Sequence, residues 1–529
     1  MKIPNVRPLN EITAIVALII GPREEFTMMF TIRRLLLIPV IICFCATSYA
    51  QKLQLDVQEH VLENGLKILM LEKHDVPIVS LRVVYKVGSA NERPGITGAS
   101  HLFEHMMFKG TKIFGTKNYE EEKPLLVKEE ELIVTIEAEK TKGINSNKET
   151  VALLESELQD VWKRQKELLV KDEMWSIYLK NGATGLNAST SSDGTFYYCN
   201  LPSNRLELWA FMESDRMQNL VLREFYSERD VVMEERRLRT DNSPFGLLFE
   251  QLNAAAFTAH PYGWPVIGWM SDLENIKKSA VTQYFRQYYS PNNAVIVAVG
   301  DINPDEIIAL VEKHFGDIPR QPPSPKVTTE EPTQMGERRV YVEFDANPVL
   351  SIAYHKPAIG HPDQYVFDVI EAILSSGRTS RLYKSLIEDK QIAVMAHAYG
   401  GPSKYADTFL FLGTPRSPHT AEEVEEAIYE ELNKLKTTPV TQHELLKIKN
   451  QLEADFVRSL ESASGLASKI ASYEAIYGWG YINTLVENTL SVTPEDILRV
   501  ANKYFIKTNR TVAILVKKEK GNTNENKES

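Results

Sequence analysis

The segment Gly98-Ala-Ser-His101-Leu-Phe-Glu104-His105-Met-Met-Phe-Lys-Gly-Thr111 carries the densest chemistry in the chain. His101 and His105 are four apart, so on a helix they share one face, one turn from each other. Two imidazoles placed that way can reach a single zinc ion at about 2.0–2.1 Å. Glu104 projects beside them and can take a proton from water that the metal has acidified to a pKa of about 7. H-x-x-E-H is a metallopeptidase pattern. The flanks Leu102, Phe103, Met106, Met107 and Phe108 are apolar, so three polar side chains sit in an apolar helix, where burial without a task is costly.

Zinc peptidases keep three protein ligands and one open position, so a third ligand is required. Ser227-Glu228-Arg-Asp-Val-Val-Met-Glu234-Glu235-Arg-Arg supplies candidates. Glu228 and Glu235 are seven apart and fall nearly on one helix face, two turns apart, while Glu234 points about 100° away from Glu235. One of the aligned pair can bind the metal and the other orient the site. By its chemistry alone, the same stretch reads better as an exposed helix laced with salt bridges.

The elements that must position these residues follow from periodicity. Ile78 to Val87 and Thr195 to Leu201 read as strands. Ala99 to Phe108 reads as an apolar helix, Leu206 to Asn219 as an amphipathic one, and residues 224–239 as a charged one. The chain also repeats itself. Pro77-Ile-Val-Ser80-Leu matches Pro348-Val-Leu-Ser351-Ile, an offset of 348 − 77 = 271, and Asn293 matches Asn509, an offset of 509 − 293 = 216. The difference, 271 − 216 = 55, predicts a duplicated α/β unit whose first copy holds about 55 extra residues. Residues 121–175, rich in Glu and Lys with Val151, Leu154, Leu158, Val161, Trp162 and Leu168 at helical spacing, are that insertion, read as a helical hairpin turning near Gly143. The expected fold class is α+β: two homologous α/β sandwich domains at 51–319 and 340–516, a Pro-rich linker at 320–339, and a disordered tail at 517–529.

Residues 1–50 read as an N-terminal extension and a signal peptide: Arg33 and Arg34, an apolar core from Leu35 to Cys45, then Ser48-Tyr49-Ala50 as a cleavage site. Export to a periplasm follows, with membrane association if the apolar segment is retained. Of three cysteines only Cys199 lies outside that region, which excludes an internal disulfide and a Cys-based zinc cluster. A net charge of −11 excludes a general nucleic-acid binder, which needs clustered Lys and Arg.

With these motifs in hand, the chain resembles the pitrilysin/insulinase family of inverted zincins, and especially its bacterial members similar to mitochondrial processing peptidase. HLFEHMMFKGT, GLNASTSSDGTFYYCNLP (Gly185 to Pro202), ERDVVMEE (Glu228 to Glu235), HPYGWPVIG and SGRTSRLYKSL carry the likeness. The resemblance implies Glu235 as the third zinc ligand beside His101 and His105, Glu104 as general base and Glu228 as a supporting carboxylate. It implies one zinc per chain, and an edge strand at Leu186, Asn187, Ala188 and Ser189 that binds peptide substrate through its backbone. It also implies that each half of a clam-shell, built of two α/β units, faces a closed chamber. Two departures stand out. His105 and Glu235 are 235 − 105 = 130 residues apart, longer than is usual in the family, which agrees with the insertion. The Arg and Tyr that contact substrate in complete family members are replaced by Ile387 and Val394. A homologous partner supplying Arg and Tyr in a heterodimer is therefore expected, with a homodimer as the fallback. The expected activity is a zinc endopeptidase; the alternative is a non-catalytic assembly or chaperone-like subunit of a peptidase complex.

Overall fold

Two strands with no exposed face organise the first half. Of Ile78–Tyr85 (β3) only the first residue is exposed, and every residue of Ala294–Gly300 (β6) is buried. A strand apolar on both faces needs a covering layer on each side, and that requirement shapes the molecule. The computed structural model describes residues 54–518. The expected signal region and all but the start of the expected tail lie outside the described residues.

The first sheet also contains Gln58–Val61 (β1), Lys67–Glu72 (β2), Thr184–Thr190 (β4) and Thr195–Pro202 (β5), in the order β1-β2-β6-β3-β5-β4. The second contains Arg338–Phe344 (β7), Val349–Lys356 (β8), Ala393–Tyr399 (β9), Asp407–Pro415 (β10) and Arg510–Lys517 (β11), in the order β7-β11-β8-β10-β9. Without β1 the two orders coincide, and each sheet has one parallel pair, β2 with β6 and β7 with β11. β8 starts 349 − 78 = 271 residues after β3, the offset read from the sequence. Asn293 and Asn509 also play one role twice: each donates its amide to the carbonyl five residues back, Tyr288 at 2.8 Å and Tyr504 at 2.9 Å. The duplication is a property of the fold.

Five helices position the site or close the sheets: Ala99–Met106 (α1), Tyr119–Thr141 (α2), Lys148–Leu168 (α3), Phe225–Arg236 (α4) and Pro244–Ala256 (α5). A sixth, Ala463–Ile476 (α6), comes from the second half. α2 and α3 form the inserted hairpin, capped by Asn118 and Asn147, whose side chains accept from first-turn amides. Leu132, Ile133 and Ile136 of α2 and Leu158 and Val161 of α3 join the core of the first half. One face of the first sheet packs against α1 and its neighbours. The other face is covered by α6, through Leu466, Ala467, Ile470 and Ala471. In exchange, Leu248 and Leu252 of α5 cover a face of the second sheet. Each half thus lends the other a helix, a trade that sequence periodicity could not reveal.

The linker is irregular and runs close against the body. Glu331 accepts the amides of Thr258, Ala259 and His260 at 2.8–3.0 Å, and Asn292 exchanges two hydrogen bonds with the backbone of Gln321 at 3.0 Å. β7 begins at Arg338, inside the span expected to be linker, because Arg338 is fixed by the carbonyls of Ala255 and Ala256. β11 runs on to Lys517, the first residue of the expected tail, because that residue pairs with Phe344.

Candidate metal centre

α1 is preceded by Gly98 at its N-cap, whose φ of 86° is left-handed, and a Cβ there would meet the carbonyl oxygen of Ile267 at 2.5 Å. Only glycine fits that close approach. The buried carboxylate of Glu92 accepts the amides of Gly98 at 2.8 Å and Ser100 at 2.7 Å, anchoring the start of the helix. Those acceptor oxygens satisfy orphan N–H groups at the start of the helix, and burial pushes the Glu92 carboxyl up to about 8. His101 is buried, while Glu104 and His105 are half-buried.

Glu235 reaches this helix from α4. Its Oε2 lies 3.6 Å from Nε2 of His101 and 3.4 Å from Nε2 of His105. One ligand atom from each of the three residues falls within 4.8 Å of the others. Two ligands about 2.1 Å from a tetrahedral ion are about 3.4 Å apart, so the donor set fits one small divalent cation. Glu228, two turns before Glu235, is not part of that trio. Its Oε1 accepts from His105 Nδ1 at 2.9 Å, which orients that ring with Nε2 toward Glu235.

The charges respond to this packing. Burial, with the cations of His105 and Arg239 nearby, pulls His101 down to about 3, so its ring is neutral and able to donate a lone pair. Burial works against the charge on His105 too, but the hydrogen bond to Glu228 and the surrounding carboxylates outweigh it and the net shift is upward. Burial alone would raise Glu228; its hydrogen bonds to His105 and Lys109 bring it down to about 2. Burial raises Glu104, an effect moderated by the hydroxyl of Thr190, which donates to Oε2 at 2.5 Å.

Three contacts escaped the reading of the sequence. Lys109 Nζ sits 2.6 Å from Glu228 Oε2, and Arg239 Nη1 2.9 Å from Glu235 Oε1. Each cation is four residues beyond a site residue, His105 or Glu235, so helical spacing was the available signal. Thr190 follows the expected substrate-binding run by one residue. That run lies on β4, the free edge of the first sheet beside α1: Asn187 and Ser189 are exposed, Leu186 is half-buried and Ala188 is buried. The amide of Ala188 is held by Oδ1 of Asn187 at 2.9 Å. Ile387 packs against the core of the second half, and Val394 is exposed on β9.

The insulinase (peptidase family M16) model matches residues 67–124, and the model of the M16 inactive domain matches residues 275–452. The zinc protease PqqE of Helicobacter pylori is 30% identical over 495 residues, covering 92% of this chain and 99% of its own. This chain belongs to the M16 peptidase family. Among solved structures, a protease from Helicobacter pylori superposes with a TM-score of 0.74 at 30% identity, over 88% of this chain and 100% of that one. The periplasmic protease PqqL from Escherichia coli shares the M16 fold with a TM-score of 0.65 at 16% identity, over 88% of this chain and 48% of that one. The H-x-x-E-H segment of this M16 chain falls within the insulinase match, and the inactive-domain match begins beyond Glu235.

Proposed function

We propose that this chain is a zinc-dependent endopeptidase in which His101, His105 and Glu235 hold one zinc ion and Glu104 is the general base. The observation that carries this reading is the convergence of two imidazole nitrogens and one distant carboxylate oxygen within 4.8 Å. Bound zinc would act as a Lewis acid on the scissile carbonyl and acidify adjacent water. Glu104 would take the proton of the attacking water and return it to the leaving amine. Its raised pKa suits that exchange, and the hydrogen bond from Thr190 fixes one oxygen so that the other is free for water. Glu228 holds the ring of His105 in the required tautomer.

The substrate would be a peptide or an unfolded segment, because an extended backbone can add to the free edge of β4 at Leu186 to Ser189. Residues 51–319 would form the catalytic half, 320–339 the connection and 340–516 the non-catalytic half. The chain supplies two α/β units and spans 48% of PqqL, which suits one half of a clam-shell. With Ile387 and Val394 lacking side-chain donors, a homologous subunit bringing Arg and Tyr would complete the site. Export to the periplasm rests on residues 30–50; among the described residues no helix is long and apolar enough to cross a membrane.

The test is Glu104→Gln, assayed with the co-purified partner. It should keep its zinc and lose peptide cleavage, and unchanged cleavage would refute the mechanism. A wild-type complex that holds no metal and cleaves nothing would favour the non-catalytic reading.

A further inference from the structure

One oxygen of the Glu235 carboxylate is already engaged. Oε2 of Glu235 faces the two histidine nitrogens, while Oε1 contacts the guanidinium of Arg239 at 2.9 Å. Arg239 stands one turn further on, in the π-helical turn Arg237–Asp241 that follows α4. Its side chain is 74% exposed, and among the described residues its ion pair is with Glu235. An exposed pair four residues apart adds little to stability. What it decides is the orientation of Glu235. A free carboxylate presents two equivalent oxygens; it can swing, or bind a cation through both. With Oε1 held, only Oε2 is presented, and it lies at the separation from both imidazoles that a tetrahedral ion needs. Single-turn π segments recur at functional sites, and this one carries the arginine that touches the ligand.

We propose that Arg239 is a positioning residue of the metal centre, holding Glu235 to coordination through Oε2 alone. This rests on the reading of Glu235 as a ligand. Charge and geometry predict opposite effects of its removal, which makes the claim decidable. Taking a cation away from a divalent ion should by charge alone tighten binding. Losing the hold on an outer-shell partner should weaken it, typically about 10–100-fold.

Zinc affinity of the metal-free full chain is measured by chelator competition for wild type, Arg239→Met, Arg239→Lys and His101→Ala. A parallel cobalt(II) titration reports coordination, since tetrahedral cobalt absorbs more strongly in the visible than higher-coordinate cobalt. Arg239→Met should bind zinc about tenfold or more weakly and give weaker cobalt absorption, while Arg239→Lys, which keeps a charged donor, should recover most of both. Arg239→Met binding as tightly as wild type, or more tightly, overturns the proposal. His101→Ala retaining wild-type affinity would instead refute the ligand set, and this proposal with it. Because Arg239 is exposed, the folded state is expected to survive both of its substitutions, and circular dichroism checks this for all three variants, including the buried His101→Ala.

Discussion

Glu122→Leu should destabilise the chain by breaking an ion pair that ties the inserted hairpin to the loop leaving α1. Glu122 in α2 is 2% exposed and Arg223, just before α4, is 1% exposed. Arg223 Nε donates to Glu122 Oε1 at 2.6 Å, and its other nitrogens donate to the carbonyls of Lys109, Thr111 and Phe114. The guanidinium is thus the post around which the loop leaving α1 is wound. The opposite oxygen of Glu122 is buried with no partner among the described residues, so little solvent screens the pair. Removing one member leaves a buried charge uncompensated, which costs about 3–5 kcal/mol. Unfolding entropy of about 2.1 cal/mol/K per residue, over the 518 − 54 + 1 = 465 described residues, gives about 1 kcal/mol/K, so Tm should fall by about 3–5 °C. The double variant Glu122→Leu/Arg223→Met removes both charges and should recover part of that loss. Differential scanning calorimetry of the four proteins of the cycle provides the measurement. A shift of less than about 1 °C for Glu122→Leu, or a double variant as unstable as the sum of the single ones, would show that Glu122 and Arg223 are not a coupled buried ion pair.

Lys109→Met removes the cationic partner of Glu228, which in turn holds His105; zinc affinity should fall about tenfold or more, with Lys109→Arg closer to wild type. Unchanged affinity in a chelator titration would leave Lys109 without a role at the centre. Glu474 of α6 pairs with Lys86, just past β3, at 2.7 Å and with Lys67 of β2 at 3.1 Å. Burial raises its pKa, but those lysines and the amide of Trp479 outweigh it and the net shift is below the ordinary 4.5. A depressed carboxylate stabilises the folded state above pH 4.5 and ceases to as pH falls through its lowered value, so Glu474→Gln should flatten the acid limb of the stability profile; an unaltered limb counts against the bridge. Ile470→Ala, at a 1% exposed position of α6, should cost about 2–5 kcal/mol. The loss should speed amide exchange in β3 and β6, and exchange confined to residues 463–476 would contradict the exchanged-helix packing.

Much of the architecture is legible along the chain because it is encoded by local periodicity. Leu206 to Asn219 is a helix with the bounds its apolar spacing predicts. The 271-residue offset recurs in the starts of β3 and β8, and the 55 surplus residues correspond to a hairpin of two helices at 119–168. The pairing of His101 with His105 needs only the pitch of one helix, and the alignment of Glu228 with Glu235 only that of another.

What brings Glu235 to the Nε2 atoms of both imidazoles, and Glu228 to Nδ1 of His105, is the packing of α4 against α1, which joins residues up to 130 positions apart. The amino-acid order settles which side chains each element displays and how often. Which elements meet is decided by the requirement that both faces of β3 and β6 be covered, and α6 meets it from the far half of the chain. Thr190 and Lys109 acquire partners only through that assembly, because a hydrogen bond or ion pair is a property of distance in space, whereas the contact of Arg239 with Glu235 is local to one helical turn. Periodicity records the face of each helix and strand; tertiary packing chooses what that face touches.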